Sequence, residues 1–186
     1  MTAAARKMGT YADLEAVPSH LVGELIGGNV VASPRPAALH AVAASMLGSE
    51  LSGPYFRGRG GPGGWVILDE PELHLGRDVL VPDLAGWRRE RMPEVPNVPH
   101  FALAPDWVCE VLSPSTEATD RGDKSRVYAR ENVAHLWFVD PIVKTLEVLQ
   151  LDGKTYRVID VFTGDARVRA APFDATELEL AALWMR

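Results

Sequence analysis

Two short apolar runs each carry a carboxylate where an ordinary strand carries none. Asp83 lies within Val79-Leu80-Val81-Pro82-Asp83-Leu84-Ala85, and Glu110 within Trp107-Val108-Cys109-Glu110-Val111-Leu112. Both runs are rich in β-branched or aromatic residues and are bounded by turn formers, so both read as strands. A carboxylate buried there without a partner costs several kcal/mol, so it needs a counter-charge or a metal. Two such acids on successive strands point to one shared site. The plainer alternative is a pair of structural ion pairs, with arginines such as Arg121 or Arg126 as partners.

The rest of the chain is consistent with an ordinary globular protein. Its 186 residues fit one domain, taken as 1–186, with a core over about 20–142 and a C-terminal hairpin and short helix over 143–186. Nineteen basic residues against 25 acidic give a net charge of -6, which argues against a protein that coats nucleic acid non-specifically. The single cysteine, Cys109, can form neither an internal disulfide nor a thiolate cluster and reads as a core residue. Arg6 and Lys7 precede no apolar signal region, and no stretch reaches about 18 apolar residues, so a cytoplasmic location is expected.

Local patterns predict the elements between which the acids fall. Thr10 caps a short helix that ends before Pro18. Gly27-Gly28 joins two strands around Glu24-Leu25-Ile26 and Asn29-Val30-Val31. A helix from about Ala37 to Leu51 carries His40, Ala43, Ala44, Leu47 and Leu51 on one stripe. The glycine-rich stretch from Gly53 to Gly64 contains a formal G-x-G-x-x-G but runs into the strand Trp65–Asp69. It therefore reads as a surface loop and not as a dinucleotide fingerprint. Glu72 to Leu75 is a further short strand, and Arg88 to Pro105 an irregular connection. Asp120 can cap a helix to about Asn132, and His135 to Val139 is a strand. Asp152-Gly153 joins another hairpin over Lys144–Leu151 and Lys154–Val161, and Thr176–Trp184 reads as a closing helix. The expected class is α/β (α+β), a central mixed β-sheet flanked by helices, with extra β-hairpins.

Within that frame Val108, Glu110 and Leu112 share one strand face. On the following helix, Lys124, Val127, Tyr128 and Glu131 share another, and the apolar pair turns that face toward the sheet. Lys124 thus points inward, near the end of the Glu110 strand. Two bare carboxylates about 4 Å apart repel by roughly 4 kcal/mol at an effective dielectric near 20. A divalent cation reverses that sign, and oxygen-only ligands suit Mg²⁺ or Mn²⁺ and not zinc.

These residues resemble the PD-(D/E)XK, or restriction-endonuclease-like, superfamily, and within it a branch of bacterial endonucleases. The resemblance covers about residues 10 to 150. It rests on Glu24-Leu25-Ile26-Gly27-Gly28, Ser33-Pro34 with His40, Val81-Pro82-Asp83 and Glu110-Val111-Leu112-Ser113-Pro114-Ser115-Thr116. It continues through Asp120 with Lys124 and Tyr128 to Trp137-Phe138-Val139-Asp140-Pro141. The superfamily's lysine two residues after the second acid is Leu112 here; in the resembled branch it comes from the following helix, at Lys124. The resemblance implies a phosphodiesterase acting on DNA, with Asp83, Glu110 and the Val111 carbonyl as ligands of Mg²⁺ (or Mn²⁺). It implies that Lys124 orients or deprotonates the attacking water, and that Glu24 holds water or a second metal. His40 would line the site. Read from position alone, Asp69 and Glu72 are either outer acids of the site or ordinary strand-end and turn acids, and Arg88, Arg89 and Arg91, after the Asp83 strand, either reach phosphates or form a solvated loop cluster. A homodimer is expected, because cutting both strands takes two sites. Two other functions fit the same residues: a catalytically inactive binding or assembly module, and a hydrolase of small phosphoesters.

Overall fold

The computed structural model describes residues 8–184. The chain begins with helix α1 (Tyr11–Glu15), closed by a reciprocal capping box between Thr10 and Asp13. Strands β1 (Leu21–Ile26) and β2 (Asn29–Pro34) form the expected hairpin. Its turn residues, Gly27 and Gly28, have φ of 57° and 77°, the left-handed pair that a tight primed turn requires and that side chains disfavour.

Helix α2 (Ala38–Leu51) buries His40, Ala43, Leu47 and Leu51 of the stripe read from the sequence, with Ala44 half-buried beside them. It runs on through a π-helical turn, Ser52–Phe56, before the glycine-rich stretch reaches β3 (Trp65–Asp69), so the first part of that stretch is helical and not loop. Strands β4 (Leu73–Leu75) and β5 (Asp78–Leu80) precede β6 (Leu84–Arg88) and β7 (Trp107–Val111). The run Val79 to Ala85 is therefore two strands and not one. Pro82 has no N–H to give a ladder, and at that break the chain passes from one sheet to another.

The larger sheet has the order β10-β9-β8-β7-β6-β3, where β8 is His135–Asp140, β9 Thr145–Asp152 and β10 Thr155–Thr163. Only β7 and β8 pair in parallel, and residues 112–134 cross between them. The crossover contains α3 (Glu117–Thr119), a π-helical turn (Asp120–Lys124) and α4 (Ser125–Arg130). Asp120 thus lies inside the helix and does not cap it. A second, antiparallel sheet has the order β2-β1-β5-β4.

Strand β7 is buried along its whole length, as a central strand should be. Trp107, Cys109 and Val111 pack with α2, while Val108 and Leu112 pack with Val127 and Tyr128 of α4. The C-terminal residues Phe173, Leu178, Leu180, Leu183 and Trp184 complete the first of these cores. Phe173 precedes β12 (Leu178–Glu179), which pairs with β11 (Arg167–Val168), and the others come from β12 and a 3₁₀ helix, Leu180–Trp184, where a single helix was expected. No described helix is long and apolar enough to cross a membrane.

Candidate active site

Six polar or charged residues are buried among those described: Glu24, His40, Asp78, Glu110, Asp120 and Lys124. Asp78 is structural: it accepts the Gly27 N–H at 2.6 Å and pairs with Arg130 at 2.9 Å, tying the hairpin turn to α4. The other five all line one cleft of about 280 Å³, together with Asp83 and Val111. Different elements supply them. Glu24 comes from β1, His40 from α2, Glu110 from β7, Asp120 and Lys124 from the π-helical turn, and Asp83 from the bend before β6.

Lys124 is the hub. Its ammonium lies 2.9 Å from Glu110, 3.2 Å from Glu24 and 3.2 Å from Asp120, with a side chain only 4% exposed. Burial works hardest on this amine and favours its neutral form, yet the three carboxylates together hold its pKa well above the usual lysine value. Lys124 is thus an ammonium inside the protein. Glu110 is pushed the other way from an ordinary carboxylate. Burial, with Asp120, Asp83 and Glu24 nearby, raises its pKa well above the usual range, against the pull of Lys124.

Glu24, Asp83 and Glu110 are each also positioned by a neutral donor. Glu24 accepts the Val81 N–H at 2.8 Å, and Asp83 accepts the Val111 N–H at 2.7 Å. The Tyr128 hydroxyl donates to Glu110 at 2.5 Å in a fully buried contact. Removing that donor with Tyr128→Phe leaves a buried carboxylate short of a partner. The expected cost is about 1.5–3 kcal/mol, read as a fall in the urea midpoint.

His40 sits 3.3 Å from Asp83 through Nε2, and its Nδ1 is buried without a hydrogen-bond partner. Burial lowers its pKa, but the bond and charge of Asp83, helped by the Val111 backbone, outweigh it and raise the net value. In metal-free protein the His40 imidazole should therefore titrate above about 6.5. Asp83→Asn removes the larger raising influence and should shift it downward, a change that NMR of the ring protons measures directly.

The carboxylates are not held by the arginines that the plainer alternative invoked. Arg121 pairs with Glu117 and Glu147, and Arg126 with Asp123. Other expected positions lie apart from the cleft. Asp69 is exposed and lines a smaller adjoining cavity, of about 200 Å³, with His40 and Asp83. Glu72 is bonded to His74 and Tyr11 and does not line the cleft. Arg88 and Arg89 stack on Trp65 and Phe56, while Arg91 pairs with Asp106. They lie at or beyond the far end of β6, whose five residues span roughly 16 Å, so nearness in sequence to Asp83 does not put them beside it.

Asp120 is the site residue that the sequence reading misassigned. An acid ahead of an apolar-patterned stretch looks like a helix cap, but here the helix begins at Glu117. The π-helical turn, in which Ser125 N–H bonds Asp120 O, carries both Asp120 and Lys124 inward. The i, i+4 spacing of those two residues was the available signal.

A mixed sheet with acids at the edge of its central strands, and a lysine from the crossover helix, defines a restriction-endonuclease-like protein. The chain belongs to the Uma2 family, described as "Putative restriction endonuclease", whose model matches residues 9–182. In overall fold it is similar to a solved structure from Anabaena variabilis ATCC 29413, described as a "putative nuclease". The TM-score is 0.74 at 23% identity, over 94% of this chain and 97% of that one. No curated protein matches the chain. The superfamily resemblance read from the sequence is therefore borne out, as is the mixed α+β fold.

Proposed function

We propose that the protein is a Mg²⁺-dependent endonuclease that hydrolyses DNA phosphodiester bonds. The observation that carries this reading is the convergence of Asp83, Glu110, Glu24, Asp120 and Lys124 on one cleft. A structural ion pair needs one acid and one base; here three acids share a single lysine, and a fourth, Asp83, lines the same cleft beside His40. Their donor atoms are carboxylate oxygens, a set that fits Mg²⁺ or Mn²⁺ and lacks the thiolates and the paired imidazoles of zinc sites. Asp83, Glu110 and the Val111 carbonyl would hold the ion, with Glu24 lining the same cleft. The ion would supply positive charge against the phosphate and polarise it.

The remaining work falls to the protein's own groups. Lys124 is an ammonium ringed by three carboxylates, so it is suited to orienting a water and neutralising charge on the reacting phosphate. It is not suited to deprotonating that water. Glu24, anchored by the Val81 N–H, would help fix the water's position. His40 holds Asp83 through Nε2. The family's description supports a nuclease; DNA as substrate, the choice of Mg²⁺, a homodimer, and one catalytic domain over 1–186 are parts of this proposal.

The test is plasmid DNA incubated with purified protein. Nicking or linearisation that needs Mg²⁺ or Mn²⁺ and stops with a chelator is the expected result. Cleavage that persists in the chelator contradicts the mechanism. Carboxylate-dependent Mg²⁺ binding without cleavage of DNA, RNA or a chromogenic phosphodiester would instead leave a binding module.

A further inference from the structure

A second cluster of ligand-bearing side chains lies away from the cleft. The ligand atoms of Glu72, His74 and His100 all fall within 4.8 Å of one another. None of the three lines the cleft. We propose that they form a separate site for a zinc-type divalent ion, which clasps the irregular connection after β6 onto the edge strand β4.

The backbone builds this site. Glu72 immediately precedes β4 and His74 lies within it, two residues on, so their side chains project from the same face. His100 is brought in by an isolated parallel bridge between Leu73 and Phe101. In that bridge the Phe101 N–H bonds Glu72 O, and the His74 N–H bonds Phe101 O, both at 2.9 Å. The two histidine rings stack with centroids 3.7 Å apart and planes at 14°. His74 Nε2 lies 2.7 Å from Glu72 Oε1, and the Tyr11 hydroxyl donates to the same oxygen at 2.9 Å.

Tetrahedral ligation with bonds near 2.0–2.1 Å sets neighbouring ligand atoms roughly 3.4 Å apart. Side-chain rotation alone spans the difference, because the bridge already holds the three backbones in register. Two imidazoles and one carboxylate suit Zn²⁺, Co²⁺ or Ni²⁺, whereas Mg²⁺ prefers oxygen donors. Tyr11 would serve as the outer partner that fixes the carboxylate, bringing α1 into the clasp. The site is partly exposed, with side chains of His74 and Glu72 25% and 33% accessible, so an ion can enter without unfolding.

The test is titration of the whole chain with Zn²⁺ by calorimetry, with Co²⁺ absorption as a second readout of coordination. One Zn²⁺ per chain should bind at micromolar concentration, raise the thermal midpoint and resist a hundredfold excess of Mg²⁺. Asp83→Asn, which alters only the cleft, should keep that binding. His74→Gln and His100→Asn, which retain hydrogen-bonding side chains, should each weaken it at least tenfold and abolish the midpoint shift. Their plasmid-cleavage activity should match the parent, which separates failure here from failure of the nuclease proposal. If either histidine variant fails to fold, Glu72→Gln replaces it. Absence of stoichiometric binding, binding unchanged in the ligand variants, or binding lost in Asp83→Asn each overturns the assignment.

Discussion

Lys124→Met is expected to destabilise the protein by about 3–5 kcal/mol at neutral pH. The lysine is the shared partner of Glu110, Glu24 and Asp120, whose side chains are 2%, 9% and 5% exposed. Methionine fills much of the same volume, so the loss is electrostatic and not a cavity. An exposed pair would be worth under about 1 kcal/mol, which makes the size of the effect diagnostic. The sign of the pH dependence follows. Without the ammonium, nothing opposes the burial that already raises the folded pKa of Glu110, so the variant binds more protons folded than unfolded. Its stability then falls as pH rises through the folded pKa of Glu110 and recovers as pH falls. Mg²⁺ or Mn²⁺ should restore stability to the variant more than to the parent, because the ion replaces the missing charge. Urea unfolding at two pH values, with and without the ion, measures all of this. A deficit that ignores both pH and metal would contradict the charge-cluster account.

The second large effect is on activity. Asp83→Asn and Glu110→Gln should each lower divalent-dependent DNA cleavage by about a thousandfold or more, the scale of losing an electrostatic element of a reacting centre. Stability should change little. The asparagine carbonyl can still accept the Val111 N–H that Asp83 now accepts. Glutamine at 110 removes a charge that burial already disfavours, while its carbonyl can still accept from Tyr128. Folded variants without cleavage separate a catalytic role from a structural one. Folded variants that cleave normally remove Asp83 and Glu110 from the mechanism.

The parts of this arrangement that were legible in the sequence are those set by short-range rules. Alternation along β7 placed Glu110 opposite Cys109, and helical spacing turned Lys124 inward with Tyr128. Glycine pairs and turn residues located the hairpins around Gly27 and Gly153. What the sequence hid depends on long-range pairing. The strand around Asp83 was read as continuous because its apolar run is unbroken. Only the switch between sheets at Pro82 places the acid on a bend. Asp120 looked like a cap because its local context matches one, while the π-helical turn that buries it depends on packing against the sheet. Arg88 to Arg91 looked close to the site because strand length was not weighed. The grouping of Glu72 and His74 with His100 follows from the bridge between Leu73 and Phe101, which no local pattern signals.

One crystal soaked in Mn²⁺ tests the central claim most directly. An anomalous peak in the cleft, within bonding distance of Asp83 and Glu110, with Lys124 drawn back from Glu110 to admit it, is the expected result. A cleft with no peak, and a lysine still seated among its three acids at saturating Mn²⁺, would contradict it.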